Sequence, residues 1–134
     1  MAKVQVKYLT KPTNEIIDHI NKFNKTINED DVRAFLKEND NFCLIIYVFN
    51  KLDSLIFLKN SEETHEILVS SLYMNEYSTF KECVNFLINK FSNYKIVIDS
   101  TFKDKNFINV VKKNGGVLKN NRYIIQLYLW MLLN

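Results

Sequence analysis

The chain has 134 residues, of which 47% are hydrophobic and 13% aromatic, and this composition excludes a disordered protein. Its net charge of +3 comes from 18 basic and 15 acidic residues, a weaker and more even excess than dedicated nucleic-acid-binding proteins show. The length fits one domain over residues 1–134, and with two glycines and one proline the chain lacks the turn residues of an all-β fold.

Cysteine use and hydropathy predict an intracellular protein. Cys43 and Cys83 are too few for a disulfide framework and lack the spacing of a metal site, so we expect no metal. The first nine residues alternate polar and apolar side chains and do not form the continuous apolar segment of a signal peptide. No stretch approaches the roughly 18 apolar residues of a membrane span. We therefore expect a cytoplasmic protein with no membrane partner.

The first half of the chain predicts one strand, two helices and then three strands. Val4–Leu9 alternates in the way a half-buried strand does. After a proline, Thr13 or Asn14 can cap a helix that runs to about Lys25. A second helix is predicted from near Asn28, with an acidic first turn that suits the positive end of a helix. The strands and connections predicted next are Phe42–Phe49, a turn at Asn50–Asp53, Ser54–Leu58, a loop at Asn60–Thr64, and Glu66–Met74.

The second half predicts two more helices, each followed by a strand. Apolar residues recur at helical spacing from Phe80 to Phe91 and again around Phe107, where two glycines end the helix. The strands predicted here are Tyr94–Asp99 and a long, almost wholly apolar closing strand, Tyr123–Leu132. The order β-α-α-β-β-β-α-β-α-β predicts an α/β (α+β) fold with helices on both faces of a mixed, mostly antiparallel sheet of about six strands.

This order of elements resembles the GNAT superfamily of acyl-CoA-dependent N-acyltransferases over roughly residues 4–130. Leu72–Tyr77 is similar to the Leu-x-Val-x-Pro-Glu-Tyr ending of the family's fourth strand. Asp104–Gly116, followed by a strand, is similar to its penultimate helix. The resemblance implies transfer of an acyl group from acetyl-CoA or another acyl-CoA to an amine. The amine would bind between variable loops, here Lys25–Glu29 and Asn60–Thr64, which do not identify it.

The family's diphosphate loop is replaced in this chain. That loop reads Arg/Gln-x-x-Gly-x-Gly/Ala, and its glycines bring backbone N–H groups to the coenzyme A diphosphate at a helix N-terminus. The aligned segment, residues 78–83, reads STFKEC and has none of these residues. Thr79 and Glu82 have the spacing of a capping box, which would occupy the helix amides and add a negative charge. The cofactor-binding residues that the resemblance implies are Leu72, Tyr73, Met74, Tyr77, Ser78, Thr79, Phe80, Lys81 and Asn106.

The family's catalytic positions also carry other residues here. A glutamate on the fourth strand commonly takes the proton of the amine, and Ser70 aligns with it. A tyrosine on the penultimate helix commonly protonates the leaving thiolate, and Val111 aligns with it. Side chains nearby that can move or orient a proton are Glu66, His65, Tyr73 and Tyr77. The catalytic candidates are therefore Glu66, Ser70 and Tyr73.

Two features of the sequence concern binding partners: an apolar run at the C-terminus and a lysine-rich last third. The apolar run Ile124–Leu133 barely alternates, so we expect that both of its faces are covered or that it packs on a second copy in a homodimer. Lysines are concentrated in the last third of the chain, but no aromatic residues alternate with them, which favours a solvated helix flank over a nucleic-acid surface.

Three functions stay open at this point. The first is an acyl-CoA-dependent N-acyltransferase, and the second is a GNAT-like binding or regulatory module that has lost catalysis and forms a dimer. The third, a nucleic-acid-associated protein, has the least support.

Overall fold

The computed structural model describes residues 3–23 and 25–133. Within this range one seven-stranded sheet has the order β1-β2-β3-β4-β5-β7-β6. Its strands are β1 (Val4–Leu9), β2 (Asn41–Val48), β3 (Lys51–Ser61), β4 (Glu66–Met74), β5 (Lys95–Asp99), β6 (Val117–Lys119) and β7 (Arg122–Gln126). The helices are α1 (Asn14–Phe23), α2 (Glu29–Lys37), α3 (Phe80–Lys90), α4 (Lys105–Lys113) and α5 (Leu127–Leu133), and a 3₁₀ turn (Tyr77–Thr79) precedes α3.

Neighbouring strands are antiparallel except β4 and β5, which are parallel. Helices cover both faces of the sheet, and each face has its own apolar cluster. Helices α1 and α2 pack over one cluster with β2 and β3, and α3, α4 and α5 pack over the other. Strand β2 is buried at every position from Asn41 to Ile46, as a strand covered on both faces must be. The predicted fold class is confirmed.

The first two helices begin where the sequence predicts caps. Thr13 Oγ1 accepts a hydrogen bond from the Ile16 amide at 3.3 Å, and Asn28 Oδ1 accepts one from the Asp31 amide at 3.1 Å. These side chains satisfy amides that the first helical turn leaves without partners. Within the described part of the chain, no helix combines the length and apolar character needed to cross a membrane.

The hairpin between β2 and β3 turns earlier than predicted. Phe49 and Asn50 form the loop with φ angles of 50° and 66°, so β3 already starts at Lys51 and runs on to Ser61. Positive φ at both central residues suits the twist of a two-residue hairpin loop. The predicted turn was Asn50–Asp53, and phenylalanine rarely adopts the conformation that Phe49 has here.

The predicted closing strand is wrong in its second half. Strand β7 ends at Gln126, and the chain continues as α5. Leu127 and Trp130 lie on one face of this helix and are buried in the domain's own cluster, where Trp130 Nε1 donates to Asn85 Oδ1 at 3.2 Å. An unbroken apolar run is compatible with a strand or a buried helix, so periodicity alone did not separate them. The short strand β6, exposed at each of its three positions, was not predicted. The side chain of Leu133 lies outside the described part.

Candidate functional site

Strands β4 and β5 pair and then separate, which opens a wedge in the middle of the sheet. Residues 66–68 pair with residues 95–97, and the pairing stops there although β4 runs on to Met74 and β5 to Asp99. Beyond this point the backbone groups on that edge of β4 have no strand partner among the described residues, and backbone N–H and C=O groups need a hydrogen-bond partner. The wedge therefore offers backbone hydrogen-bonding groups to an extended ligand.

Ser70 forms a bulge where the wedge opens. Val69 pairs with Leu58 and Ser71 pairs with Phe57, so Ser70 has no Cα partner in β3. A bulge bends its strand and increases the local twist, in keeping with the way β4 turns away from β5. Ser70, one of the three catalytic candidates, is exposed at this bend.

The strand that borders the wedge presents different side chains to the two faces of the sheet. Leu72 and Met74 pack against the cluster under α3 and α4, whereas Tyr73 packs against the cluster under α1 and α2. This follows from the alternation of side chains along a strand. The three residues predicted as cofactor contacts are thus divided between the faces.

The segment after β4 does not form the predicted capping box. The Thr79 hydroxyl donates to the Glu76 carbonyl at 2.8 Å and makes no cap for α3, and the Thr79 backbone is already helical, with φ −71° and ψ −8°. A cap residue needs extended backbone angles, and the preceding 3₁₀ turn denies them to Thr79. The predicted Thr79–Glu82 capping box is therefore wrong.

The side chains of this segment are divided between the core and solvent. Thr79 and Phe80 are each 2% exposed, and the Phe80 ring meets Phe107 of α4 edge-on at 5.3 Å. Ser78 and Lys81 are exposed. A hydroxyl and an ammonium group are therefore exposed in the segment that the sequence resemblance aligns with a glycine-rich loop.

Tyr77 connects the segment after β4 to the start of α4. Its hydroxyl donates to Asp104 Oδ2 at 2.6 Å, and Asp104 Oδ1 also caps α4 by accepting from the Phe107 amide at 3.1 Å. Burial, followed by this hydrogen bond and the charge of Asp104, raises the pKa of Tyr77 to about 12 against a smaller lowering by Asn106. Tyr77 and Asn106 were predicted for the site, and the structure brings them together with Asp104 beyond the ends of the two diverging strands.

Asp53 holds the beginning of the same segment and was not predicted. It is 8% exposed, and its Oδ2 accepts from the Ser54 hydroxyl at 2.6 Å and from the Glu76 amide at 3.3 Å. Its carbonyl also accepts from the Asn75 amide at 3.3 Å. The sequence offered only an aspartate inside an apolar stretch, which we interpreted as a turn residue.

A cavity of about 190 Å³ lies on the α1/α2 side of β4. It is lined in part by Tyr73, one of the catalytic candidates, and by Ser71, which follows the bulge. The part contributed by the α1–α2 connection falls within Lys25–Glu29, one of the two loops that the resemblance assigns to the acceptor side. The lining residues are Thr26, Ile27, Asn28, Asp31, Val32, Phe35, Phe57, Ser71 and Tyr73.

Glu66 lies on the paired side of the wedge and is 8% exposed. Its carboxylate forms ion pairs with Arg122 at 3.2 Å and with Lys95 at 3.5 Å. It also accepts a hydrogen bond from the Thr64 hydroxyl at 3.1 Å. Burial acts to raise the pKa of Glu66, but the hydrogen bonds from Arg122 and Thr64 and the two positive charges outweigh it and lower the pKa. This catalytic candidate is therefore an ionised carboxylate whose oxygens are already engaged.

Two further residues were considered for proton transfer, Val111 from the family pattern and His65 as a nearby substitute. Val111 is a fully buried residue of α4, and its side chain has no group that transfers a proton. His65 lies in the β3–β4 connection with a φ of 53°, and its ring packs against Tyr94 at 5.0 Å. Among the described residues, no group of three His, Cys, Asp or Glu side chains could hold a metal ion.

No protein-family sequence model matches the chain, and no curated protein matches it. Solved structures do match. Spermidine N-acetyltransferase from Vibrio cholerae superposes with a TM-score of 0.72 at 9% identity, covering 96% of each chain. The putative N-acetyltransferase YhhK from E. coli, bound to coenzyme A, superposes with a TM-score of 0.70 at 9% identity, covering 92% of this chain and 98% of that one.

The N-acetyltransferase PseH from Campylobacter jejuni, in complex with acetyl-CoA, gives a TM-score of 0.60 at 15% identity, covering 90% of this chain and 95% of that one. Likeness at such low identity is evidence about the fold. The chain has the GNAT fold, as the sequence resemblance implied.

Proposed function

We propose that this protein is an N-acyltransferase that moves an acyl group from acyl-CoA, with acetyl-CoA as the first donor to test, to an amine. The observation that carries the proposal is the wedge beside the Ser70 bulge, where β4 leaves backbone groups unpaired. The backbone of Leu72–Met74 would pair with the amides of the pantetheine arm. Two proteins of the same fold, YhhK and PseH, are described with coenzyme A and acetyl-CoA bound, which supports this class of donor.

The diphosphate of the donor would be bound by side chains. Lys81 and Ser78 are exposed at the start of α3, and a lysine binds phosphate as a point charge. Thr79 and Phe80 anchor this turn in the core, since both are buried. Tyr77 and Asn106 border the same end of the wedge, where their polar groups can meet the donor.

The acceptor would enter from the cavity on the opposite face of β4. The amine nitrogen attacks the thioester carbonyl carbon, a C–N bond forms, and the C–S bond breaks as coenzyme A leaves as a thiolate. The amine loses its proton to solvent, and the thiolate takes up a proton from solvent. Tyr73, which lines the cavity, is the proposed group that orients the amine and relays its proton, and Ser70 is the proposed donor to the acyl carbonyl.

We also propose that the protein forms a homodimer through its C-terminal segment. The contact would use the helix α5, because this segment is not the strand that the sequence predicted. Exposed apolar side chains lie on α5 and on the edge strand β6, and Val117 of β6 and Leu129 of α5 line one cavity. We call the exposed apolar residues of these two elements the α5–β6 patch. Its exposed residues are Val117, Leu118, Tyr128, Leu129, Met131 and Leu132. Patches of this kind commonly mark contacts between proteins, and the Vibrio cholerae enzyme of the same fold is described as dodecameric.

Thermal unfolding with and without millimolar acetyl-CoA tests the proposal. A ligand at about 100 times its dissociation constant adds about 2.7 kcal/mol to the free energy of unfolding, which is readily measured. An unchanged transition in a protein whose circular dichroism shows the sheet would contradict it. If acetyl-CoA binds and no amine in a mixed panel releases the coenzyme A thiol, the catalytically inactive module is the better description.

A further inference from the structure

We infer that the cavity on the α1/α2 side of β4 selects an acceptor that carries a second ammonium group beside the reacting amine, as in a short diamine. As a statement about the acceptor this rests on the proposed function. The first argument is the charge of the cavity: Asp31 is the one charged residue among the residues that line it.

Among the described residues, no ion pair engages the Asp31 carboxylate. The ion pairs among the described residues engage Glu29 with Arg33, and Glu66 with Lys95 and Arg122, and none of them includes Asp31. Asp31 is exposed and borders the cavity, and its backbone amide donates to Asn28 Oδ1. A carboxylate without a cationic partner attracts an ammonium group and repels an anionic acceptor.

Three aromatic rings line the same cavity and strengthen this preference. Phe35 and Phe57 meet edge-on at 5.6 Å and 87°, and Phe57 and Tyr73 meet edge-on at 6.4 Å and 90°. The faces of aromatic rings attract ammonium groups, and the attraction grows as water is excluded. A carboxylate beside aromatic rings is a chemical environment suited to an organic cation.

The size of the cavity limits the length of the acceptor. About 190 Å³ accommodates a short aliphatic chain, since a cavity of roughly 150 Å³ in another protein holds benzene. The apolar side chains of Ile27, Val32 and Phe57 suit methylene groups. Asp31 borders the cavity from α2 and Ser71 borders it from β4, so one amino group can meet the carboxylate while the other lies beside the bulge.

The experiment is a calorimetric titration of the full chain with 1,4-diaminobutane and with 4-aminobutanoate, which has a similar length and one negatively charged end. We expect the diamine to bind at least about tenfold more tightly than 4-aminobutanoate. Asp31→Asn should weaken diamine binding about tenfold. Asp30→Asn removes the same charge from the same helical turn but not from the cavity, and it should change the dissociation constant by less than about twofold.

A second variant keeps the inference testable without altering the charge. Phe35→Leu preserves apolar volume and removes one ring, and it should weaken diamine binding by about threefold. Equal affinity of the wild type and Asp31→Asn for the diamine, or equal affinity of the wild type for the two probes, would overturn the inference.

Acetyl-CoA binding, measured separately by thermal unfolding, distinguishes this inference from the proposed function. If acetyl-CoA binds and the diamine does not, the inference fails and the proposed function stands. If the diamine binds through Asp31 and acetyl-CoA does not bind, the charge selection stands and the acyltransferase proposal fails.

Discussion

Glu66 was named as a catalytic candidate, but its contacts in the structure indicate a role in stability. It contacts Arg122 and Lys95, so we expect Glu66→Gln to lower the free energy of unfolding by about 2 kcal/mol near neutral pH, because both cations would then face an amide. The folded-state pKa is lowered, so this stabilisation is present above the ordinary glutamate pKa and is lost as the pH falls through the folded value. Urea unfolding of both proteins near pH 7 and near pH 2 measures the effect.

Glu63→Gln is the matched control for this measurement. Glu63 is an exposed acid in the connection before β4, and its loss should change stability by less than about 0.5 kcal/mol. Wild type and Glu66→Gln should converge in acid. A deficit of the same size at both pH values would show that packing, and not the charge of Glu66, is responsible.

Lys81 is the residue on which the proposed diphosphate contact depends most. We expect Lys81→Ala to weaken acetyl-CoA binding by about fivefold at low salt and less at high salt, because a partly exposed charge contact is screened by ions. Calorimetric titration at two salt concentrations measures this. Lys113→Ala removes an exposed lysine from the last turn of α4 and should leave affinity unchanged. Equal affinity of Lys81→Ala and wild type would place the diphosphate elsewhere.

Sequence reasoning named candidate residues where a family pattern marked them and missed contacts that depend on distant partners. Tyr77 and Asn106 were named from the resemblance, and the structure places them together. Asp53 gains its role from Glu76, which is 23 residues away, and the environment of Glu66 depends on Arg122, which is 56 residues away. No local spacing encodes contacts of this kind, so a polar residue alone did not reveal its partner.

At the scale of elements, boundaries set by local chemistry were predictable and relations between elements were not. The bounds of β1 and β4 agree with the predicted strands, and α2 begins after its asparagine cap. The Ser70 bulge is a register shift against β3, and the wedge is a separation from β5, so neither is a property of β4 alone. The strand-to-helix change at Leu127 escaped prediction because an apolar run has no period that distinguishes the two.

The connection between the β4 segment and α4 makes a prediction at this scale. Tyr77→Phe removes the hydrogen bond to Asp104, so we expect a stability loss of about 1 kcal/mol and faster amide exchange at residues 76–80 and 104–107. Hydrogen exchange followed by NMR measures both. Tyr128→Phe, at an exposed position of α5, should leave exchange in these residues unchanged. Unchanged exchange in Tyr77→Phe would mean that packing of Phe80 on Phe107 holds the two elements together.

At the scale of the whole molecule, the sheet separates two kinds of surface. Its middle opens into the wedge, with the proposed donor site toward α3 and α4 and the cavity toward α1 and α2. The α5–β6 patch includes β6, the edge strand of the sheet, and is separate from the proposed donor site and from the cavity. A contact through this patch can therefore assemble copies without covering the proposed site, so assembly and ligand binding can be tested separately.

The final prediction concerns this assembly. Leu129 and Leu132 are exposed by 52% and 62% on α5, whereas Leu127 and Trp130 of the same helix are buried. Replacing both exposed leucines by serine should therefore shift the sedimentation velocity from dimer toward monomer while changing thermal stability little, because the core-facing side of α5 is kept. Phe49→Ser, at a turn residue exposed by 66%, removes a similar apolar group elsewhere and should not alter the sedimentation coefficient. A monomeric wild type, or a dimer that survives the double substitution, would exclude the α5–β6 patch as the interface.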